Sequence, residues 1–286
     1  MNFTKMHGLG NDFVLIYQTQ APSLPEMSAL AQKICNRHLG VGADGLVAVY
    51  PSASADVAMR IFNSDGTLAE QCGNAMRCVA KYYYERISGG KTQFAIETKV
   101  GIQPVWIHDD RGKAKEIRVD MGKPVLAPEK IPVLATGDTA VNREIRVNDK
   151  TFRFSAVSMG NPHAVIEVDE AEQFPVEVWG PLLETHETFP QKANIEFVTY
   201  HSPQEATMRV WERGVGQTLA CGSGACATLV AGVLSGRCER KAKIHLLGGD
   251  LLVKWDKQDQ HVYMTGPAEF VFDGIWPEQS GHIRKT

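Results

Sequence analysis

The chain repeats itself. Two Cys-Gly pairs, Cys72-Gly73 and Cys221-Gly222, stand 149 positions apart, and Met59-Arg60-Ile61-Phe62 precedes the first as Met208-Arg209-Val210-Trp211 precedes the second, at the same offset. Gly10-Asn11 and the apolar run Phe13-Val14-Leu15-Ile16 correspond to Gly160-Asn161 and Ala164-Val165-Ile166 at an offset of 150. Ala43-Asp44 with Val47 and Tyr50 lies over Ala193-Asn194 with Phe197 and Tyr200, again at 150, and Gly101 with Val105 echoes Gly249 with Val253 at 148. Short apolar matches arise by chance; a common order at near-constant offset points to a duplicated chain of two similar lobes. The alternative is one mixed domain with coincidental motifs.

Apolar and β-branched runs between turn residues predict strands at Phe13–Tyr17, Gly45–Tyr50, Val57–Phe62, Phe94–Glu97, Ile102–Ile107 and Ile117–Val119. Apolar residues at 24, 27, 30, 31, 34 and 35 predict an amphipathic helix over Leu24–His38. Gly73–Arg86 and Gly222–Leu234 read as helices that begin just after the two cysteines, and the small-residue content of the second suits burial on all sides. Strands outnumber helices and the links are short. The expected fold class is α/β with two pseudo-symmetric lobes, each a mostly antiparallel sheet wrapped around one central helix.

A thiol at a helix start has two consequences. The unpaired N–H groups there favour thiolate over thiol, which lowers the cysteine pKa from about 8.5, and they can hold a carboxylate. Glycine next to each thiol lets a ligand approach the backbone. Two such helices facing each other would clamp one carboxylate and leave one cysteine on each face of the adjoining carbon. Removing an α-proton sends charge into that carboxylate, where fixed donors stabilise it most. A thiolate base on one face and a thiol acid on the other would invert the stereocentre, and no cofactor motif is needed.

Other chemistries fit less well. Gly40-Val41-Gly42-Ala43-Asp44-Gly45 matches G-x-G-x-x-G, but a helix precedes it and a strand follows, the reverse of dinucleotide binding. Cys72, Cys78, Cys221 and Cys226 are spaced by six and five, unlike zinc ligands, and no C-x-x-C redox pair occurs. Cys35, Cys78, Cys226 and Cys238 read as small core residues. The net charge of −3 offers no basic surface for nucleic acid. No apolar run is long enough to cross a bilayer, and Met1–Gly8 lacks a signal-peptide h-region. A cytoplasmic protein with free thiols is therefore expected. Asn11, Asn63, Asn161 and Asn194 suit turns or ligand contacts. His163 suits a structural hydrogen bond or a role at the site. Glu212-Arg213 is a surface ion pair or, because it replaces Asn63-Ser64 of the first half, a device for reading a substrate with two different ends.

Asn63-Ser64-Asp65-Gly66-Thr67-Leu68-Ala69-Glu70-Gln71-Cys72-Gly73-Asn74-Ala75-Met76-Arg77 resembles the signature of the diaminopimelate epimerases. Met6–Phe13, Ser158–His163, Trp211–Gly214 and Ala220–Cys226 resemble that family's other landmarks, in order and over nearly the whole chain. Proline racemases share the two-thiol logic but not these flanking runs. The resemblance implies an isomerase independent of pyridoxal phosphate that interconverts LL- and meso-2,6-diaminopimelate for lysine and peptidoglycan synthesis. It implies Cys72 and Cys221 as the acid/base pair, tuned by His163 and Glu212. The backbone amides of Gly73, Asn74, Gly222 and Ser223 would hold the reacting carboxylate. Asn11, Asn63, Asn161, Asn194, Glu212 and Arg213 would hold the substrate, Arg213 through forked pairing with the distal carboxylate. It further implies a homodimer, no metal and no cofactor. A C-terminal strand within 265–286 would return to the N-terminal lobe, residues 1–118, leaving 119–264 as the other lobe. Gly45 departs from members that carry Gln there, and Phe272 from members with Tyr at the dimer contact. Another two-cysteine racemase or isomerase, or a small-carboxylate-binding protein, are the alternative readings.

Overall fold

A computed structural model describes residues 1–69 and 72–277. Glu70 and Gln71 of the signature run, and residues 278–286 of the expected returning strand, lie outside the described residues. The first half forms β1 (Asn2–Gly8), β2 (Asn11–Tyr17), α1 (Leu24–Ile34), β3 (Gly45–Tyr50), β4 (Val57–Asn63), α2 (Gly73–Arg86), β5 (Gln93–Thr98), β6 (Gly101–Asp110) and β7 (Lys113–Asp120). The second forms β8 (Arg143–Val147), β9 (Lys150–Ser158), β10 (Pro162–Glu167), α3 (Val176–Glu184), β11 (Asn194–Ser202), β12 (Glu205–Glu212), the two-residue β13 (Gly216–Gln217), α4 (Gly222–Leu234), β14 (Lys241–Leu246), β15 (Gly249–Trp255) and β16 (Val262–Gly266). β17 (Glu269–Ile275) follows.

The strand pairings make the duplication explicit. Antiparallel β1–β2, parallel β2–β3, antiparallel β3–β4, parallel β4–β5, then antiparallel β5–β6 and β6–β7 run through the first half. The second half repeats the same sequence of senses with β9, β10, β11, β12, β14, β15 and β16. The halves are sewn together where β7 and β16 pair antiparallel, Val119 opposite Met264. β8 flanks β9, and β17 flanks β1 in the corresponding place. β17 thus closes the half in which the chain began.

Alternation explains the layers. Along β2, Phe13 and Leu15 face the core around α2, while Val14 and Ile16 pack with Met27, Ala31 and Ile34 of α1. Along β11, Val198 faces the α4 side, while Ile195 and Phe197 pack with Val176 and Leu183 of α3. Strands buried on both faces read as unbroken apolar runs. The two inner helices share one apolar core, which is why α4 can be built almost wholly from small and apolar residues.

Three expectations need adjusting. β1 is a strand that the pattern did not predict: Thr4 and Lys5 are buried within it, so no polar face marks it, and Lys5 pairs with Asp12 at 2.6 Å. The first helix ends at Ile34 rather than His38, because Asn36 Oδ1 accepts the N–H groups of His38 and Leu39 and turns the chain. The repeat register also slips by one. Phe13 pairs with Gly45, and His163 with Asn194, so Gly45, not Asp44, occupies the place of Asn194.

The halves also meet at a turn. Leu9 and Gly10, between β1 and β2, both have positive φ (56° and 86°), as a two-residue primed turn requires. A Cβ on Gly248 would lie 1.9 Å from the Leu9 carbonyl oxygen, so the two backbones touch there.

Candidate active site

Cys72 and Cys221 cap the two inner helices. Both have extended backbone, with φ −146° and −116°, and each Sγ accepts an N–H from the first turn: Ala75 at 3.5 Å for Cys72, Gly224 at 3.4 Å for Cys221. Serine and aspartate cap helices in the same way. The N–H groups of Gly73, Gly222 and Ser223 have no protein acceptor among the described residues, as expected for a helix's first turn. Cβ atoms on Gly73 and Gly222 would lie 2.6 Å and 3.3 Å from Met264 Cε, so the side chain of one methionine from the seam packs against both helix starts. The two starts therefore converge where β7 and β16 join the halves.

Asn74 crosses between them. Its Nδ2 donates to Asn11 Oδ1 and to the carbonyl of Ala220, each at 3.1 Å, and Ala220 immediately precedes the second thiol. Cys72 Sγ also lies 3.7 Å from Asn11 Oδ1. Both ends of the Asn74 side chain are used by protein, so only its backbone remains to bind a ligand.

Glu212 ends β12 and is electrostatically close to both thiols. Thr218 Oγ1 donates to it, and its carboxyl is pushed up by burial against the pull of Thr218 and Cys221. Burial also raises Cys72 and, much further, Cys221, where the carboxylates of Glu212 and Glu196 add to the effect. Burial therefore opposes the expected lowering by the helix starts. Desolvation of the anion outweighs the first-turn N–H groups, which only pull the values partway back.

A cleft of about 430 Å³ opens beside the helix starts, lined by Asn63, Gly73, Lys99, Asn161, Arg213 and Ser223 together with apolar neighbours. A larger hollow of about 960 Å³ beside β9 is lined by neither thiol and by none of the candidate site residues. Asn63, Asn161 and Arg213 thus share one cavity with Gly73, next to the first thiol, and Ser223, two residues after the second. Asn194 stands behind it: Nδ2 donates to the Pro162 carbonyl at 2.9 Å, and Oδ1 accepts the N–H of Arg213 at 3.0 Å, fixing the backbone from which the guanidinium projects. Asn11 is held by Asp44 at 2.7 Å. Gly45 sits where a Cβ would lie 2.8 Å from the Phe62 carbonyl oxygen.

His163 is fully buried and makes no hydrogen bond to either thiol among the described residues. Its Nδ1 lies 2.6 Å from Glu196 Oε1, and its Nε2 lies 2.9 Å from Asn161 Oδ1. The ring therefore links a buried carboxylate to a cleft asparagine. Glu196 was not singled out from the sequence, although a lone acid in Ile195-Glu196-Phe197-Val198, an otherwise apolar strand, is a signal that could have found it. It points inward, against the first turn of α4, where a Cβ on Gly224 would lie 2.8 Å from its Oε1. Glu196→Leu leaves His163 Nδ1 buried without its hydrogen-bond partner, and a loss of about 1–3 kcal/mol in urea unfolding is expected. An unchanged midpoint would show that the pair does not hold the site.

Among the described residues, no three His, Cys, Asp or Glu side chains gather to hold a metal, all six cysteines are free, and no helix is long and apolar enough to cross a membrane.

The geometry is matched by what the chain is similar to. Known structures share its fold at low identity. A hydroxyproline epimerase from Agrobacterium vitis superposes with a TM-score of 0.71 at 14% identity, covering 96% of this chain and 90% of that one. A phenazine biosynthesis protein of the PhzF family from Bacillus anthracis does so with 0.69 at 18%, covering 96% and 98%. Much nearer in sequence are proteins named diaminopimelate epimerase. That of Desulfitobacterium hafniense is 49% identical over 98% of this chain and 99% of its own, and that of Methanococcus maripaludis is 48% identical over 96% and 99%. The family model for diaminopimelate epimerase matches residues 3–127 and 155–271. With both thiols, their glycines and the cleft inside the matched segments, the chain belongs to the diaminopimelate epimerase family.

Proposed function

We propose that this protein is an isomerase that interconverts LL- and meso-2,6-diaminopimelate, with Cys72 and Cys221 as its two proton-transfer groups. One observation carries the reading: the thiols cap two helices whose first turns converge on one cleft, each followed by a glycine whose N–H has no acceptor among the described residues. In the forward step, the thiolate of one cysteine takes the α-proton and becomes a thiol. The electron pair of the broken C–H bond moves into the carboxylate, where the N–H groups of Gly73, Asn74, Gly222 and Ser223 meet the growing charge. The second cysteine, a thiol, gives its proton to the opposite face and becomes the thiolate. The stereocentre is inverted, and exchange with water resets the two sulfurs. Glu212 adjoins both thiols and aids their exchange of charge. His163 acts through Asn161 and Glu212.

The cleft lining is asymmetric: Arg213 and Asn161 come from the second half of the chain and Asn63 from the first. We assign the distal carboxylate of the substrate to Arg213. Residues 1–118 with the returning strand form one lobe and 119–264 the other, with the substrate between them. β17 is an edge strand with exposed Val271, Phe272 and Ile275, which favours a homodimer through that face; Phe272 supplies apolar contact there without a hydroxyl.

A substrate panel without added cofactor tests the reading. Epimerisation is expected with either diaminopimelate isomer and none with proline or hydroxyproline. Turnover of proline with neither diaminopimelate isomer would favour the other two-thiol racemases.

A further inference from the structure

Arg77 heads the largest fully buried side chains of the molecule, at 0% exposure, and lies one helical turn beyond the Cys72 cap. A buried guanidinium normally meets a carboxylate. Here no ion pair is formed among the described residues. Nε donates to the Pro267 carbonyl at 3.0 Å, Nη1 to the Gly73 carbonyl at 3.4 Å and to Met264 Sδ at 3.5 Å, and Nη2 to Asn74 Oδ1 at 2.7 Å. Gly8 and Gly266 leave room for it: a Cβ on either would lie 3.0 Å from Nη2 or 3.5 Å from Nε.

Two consequences follow from these contacts. The short bond to Asn74 Oδ1 forces the amide nitrogen the other way, toward Asn11 and Ala220. Arg77 thereby sets the one side chain that joins the Cys72 cap to the residue before Cys221. The second consequence is electrostatic. At the repeat offset of 149, the position of Arg77 is taken in the other half by Cys226, that of Glu196 by Val47 and that of Glu212 by Asn63. The buried guanidinium lies in one half, and the two acids beside the thiols, Glu196 and Glu212, lie in the other. The ionisable groups acting on Arg77 are the thiols of Cys78, Cys72 and Cys226. Besides burial and the N–H groups of Ala75 and Asn74, those acting on Cys72 are Glu212 from β12 and, more weakly, Arg77 from its own helix, the one cation among them. Cys221 faces Glu212 and Glu196, with Ser223 and the Gly224 N–H.

We infer that Arg77 is a positioning residue that gives the two thiols different resting roles: its buried guanidinium fixes the Asn74 bridge between the helix starts and holds Cys72 toward the thiolate, while Cys221 keeps the proton. The inference rests on the two-thiol reading above. In the repeat, chemically identical thiols become distinct because the guanidinium stands in one half and the carboxylates in the other.

The test is the pH dependence of iodoacetamide alkylation at each cysteine, read by peptide mass spectrometry, since only the thiolate reacts. In the unsubstituted protein the Cys72 midpoint is expected below that of Cys221. In Arg77→Met the Cys72 midpoint rises by about one unit and that of Cys221 stays. In Arg77→Lys the charge remains and the forked contact is lost, so the Cys72 midpoint stays while kcat falls about tenfold with KM little changed. Midpoints that move together, or a Cys72 midpoint unmoved in Arg77→Met, overturn the inference. Should Arg77→Met fail to fold, Arg77→Lys decides alone: unaltered kcat overturns it, and lowered kcat with an unmoved midpoint supports it. Alkylation needs no substrate, so a protein inactive on diaminopimelate would sink the functional reading while still reporting on Arg77.

Discussion

Cys72→Ala and Cys221→Ala are each expected to lower epimerisation by about 10³-fold or more, with folded protein in both cases. A positioned acid or base contributes about 10²–10⁴-fold, and inversion needs one on each face, so neither thiol can cover for the other. The sulfur of each also accepts one first-turn N–H, but this weak cap costs only about 1 kcal/mol when lost. Cys35→Ala is the control. Cys35 is buried behind α1, in the core that faces away from the helix starts, and burial pushes its thiol up to about 12. Its loss is expected to leave kcat unaltered. Full activity in either of the first two variants would rule out two-thiol transfer.

Arg213→Met is expected to lower kcat/KM for diaminopimelate by about 10²–10³-fold, almost wholly through KM. Two charge-assisted hydrogen bonds to the distal carboxylate contribute about 3–4 kcal/mol. That carboxylate is far from the reacting carbon and carries the same charge in the ground and transition states, so its loss is one of uniform binding. The backbone N–H of Arg213 is held by Asn194, and one guanidinium nitrogen by the Gln191 carbonyl at 3.3 Å, so the arm is already directed before substrate arrives. Arg213→Lys should fall between, keeping the charge without the fork. A KM unchanged in Arg213→Met would remove Arg213 from the substrate site.

The parts of the fold that could be read from sequence were those with local punctuation. The glycine after each cysteine marked the starts of α2 and α4, and both helices end where expected. β3 lies over its expected residues because turn residues bound a purely apolar run. What escaped lacked a local signal. β1 is buried on both faces with a lysine inside, and only its tertiary partner Asp12 makes that tolerable. The one-residue slip at Gly45 shows only when strand register is known. Of the site, the thiols and the cleft residues Asn63, Asn161 and Arg213 were legible from the repeat and the family resemblance. The second rank was not: Glu196 matters through His163, and Arg77 through Asn74, connections made by folding between residues 33 positions apart and within one helical turn.

Initial-rate epimerisation of LL-diaminopimelate in D₂O distinguishes transfer by two thiols from transfer by a single base. With one monoprotic thiol on each face, the proton removed is not the proton delivered. The first meso product is expected to carry deuterium at the inverted carbon, while unreacted substrate recovered at the same time remains unlabelled. Label appearing in the recovered substrate as fast as in product, or product formed without label, would contradict it.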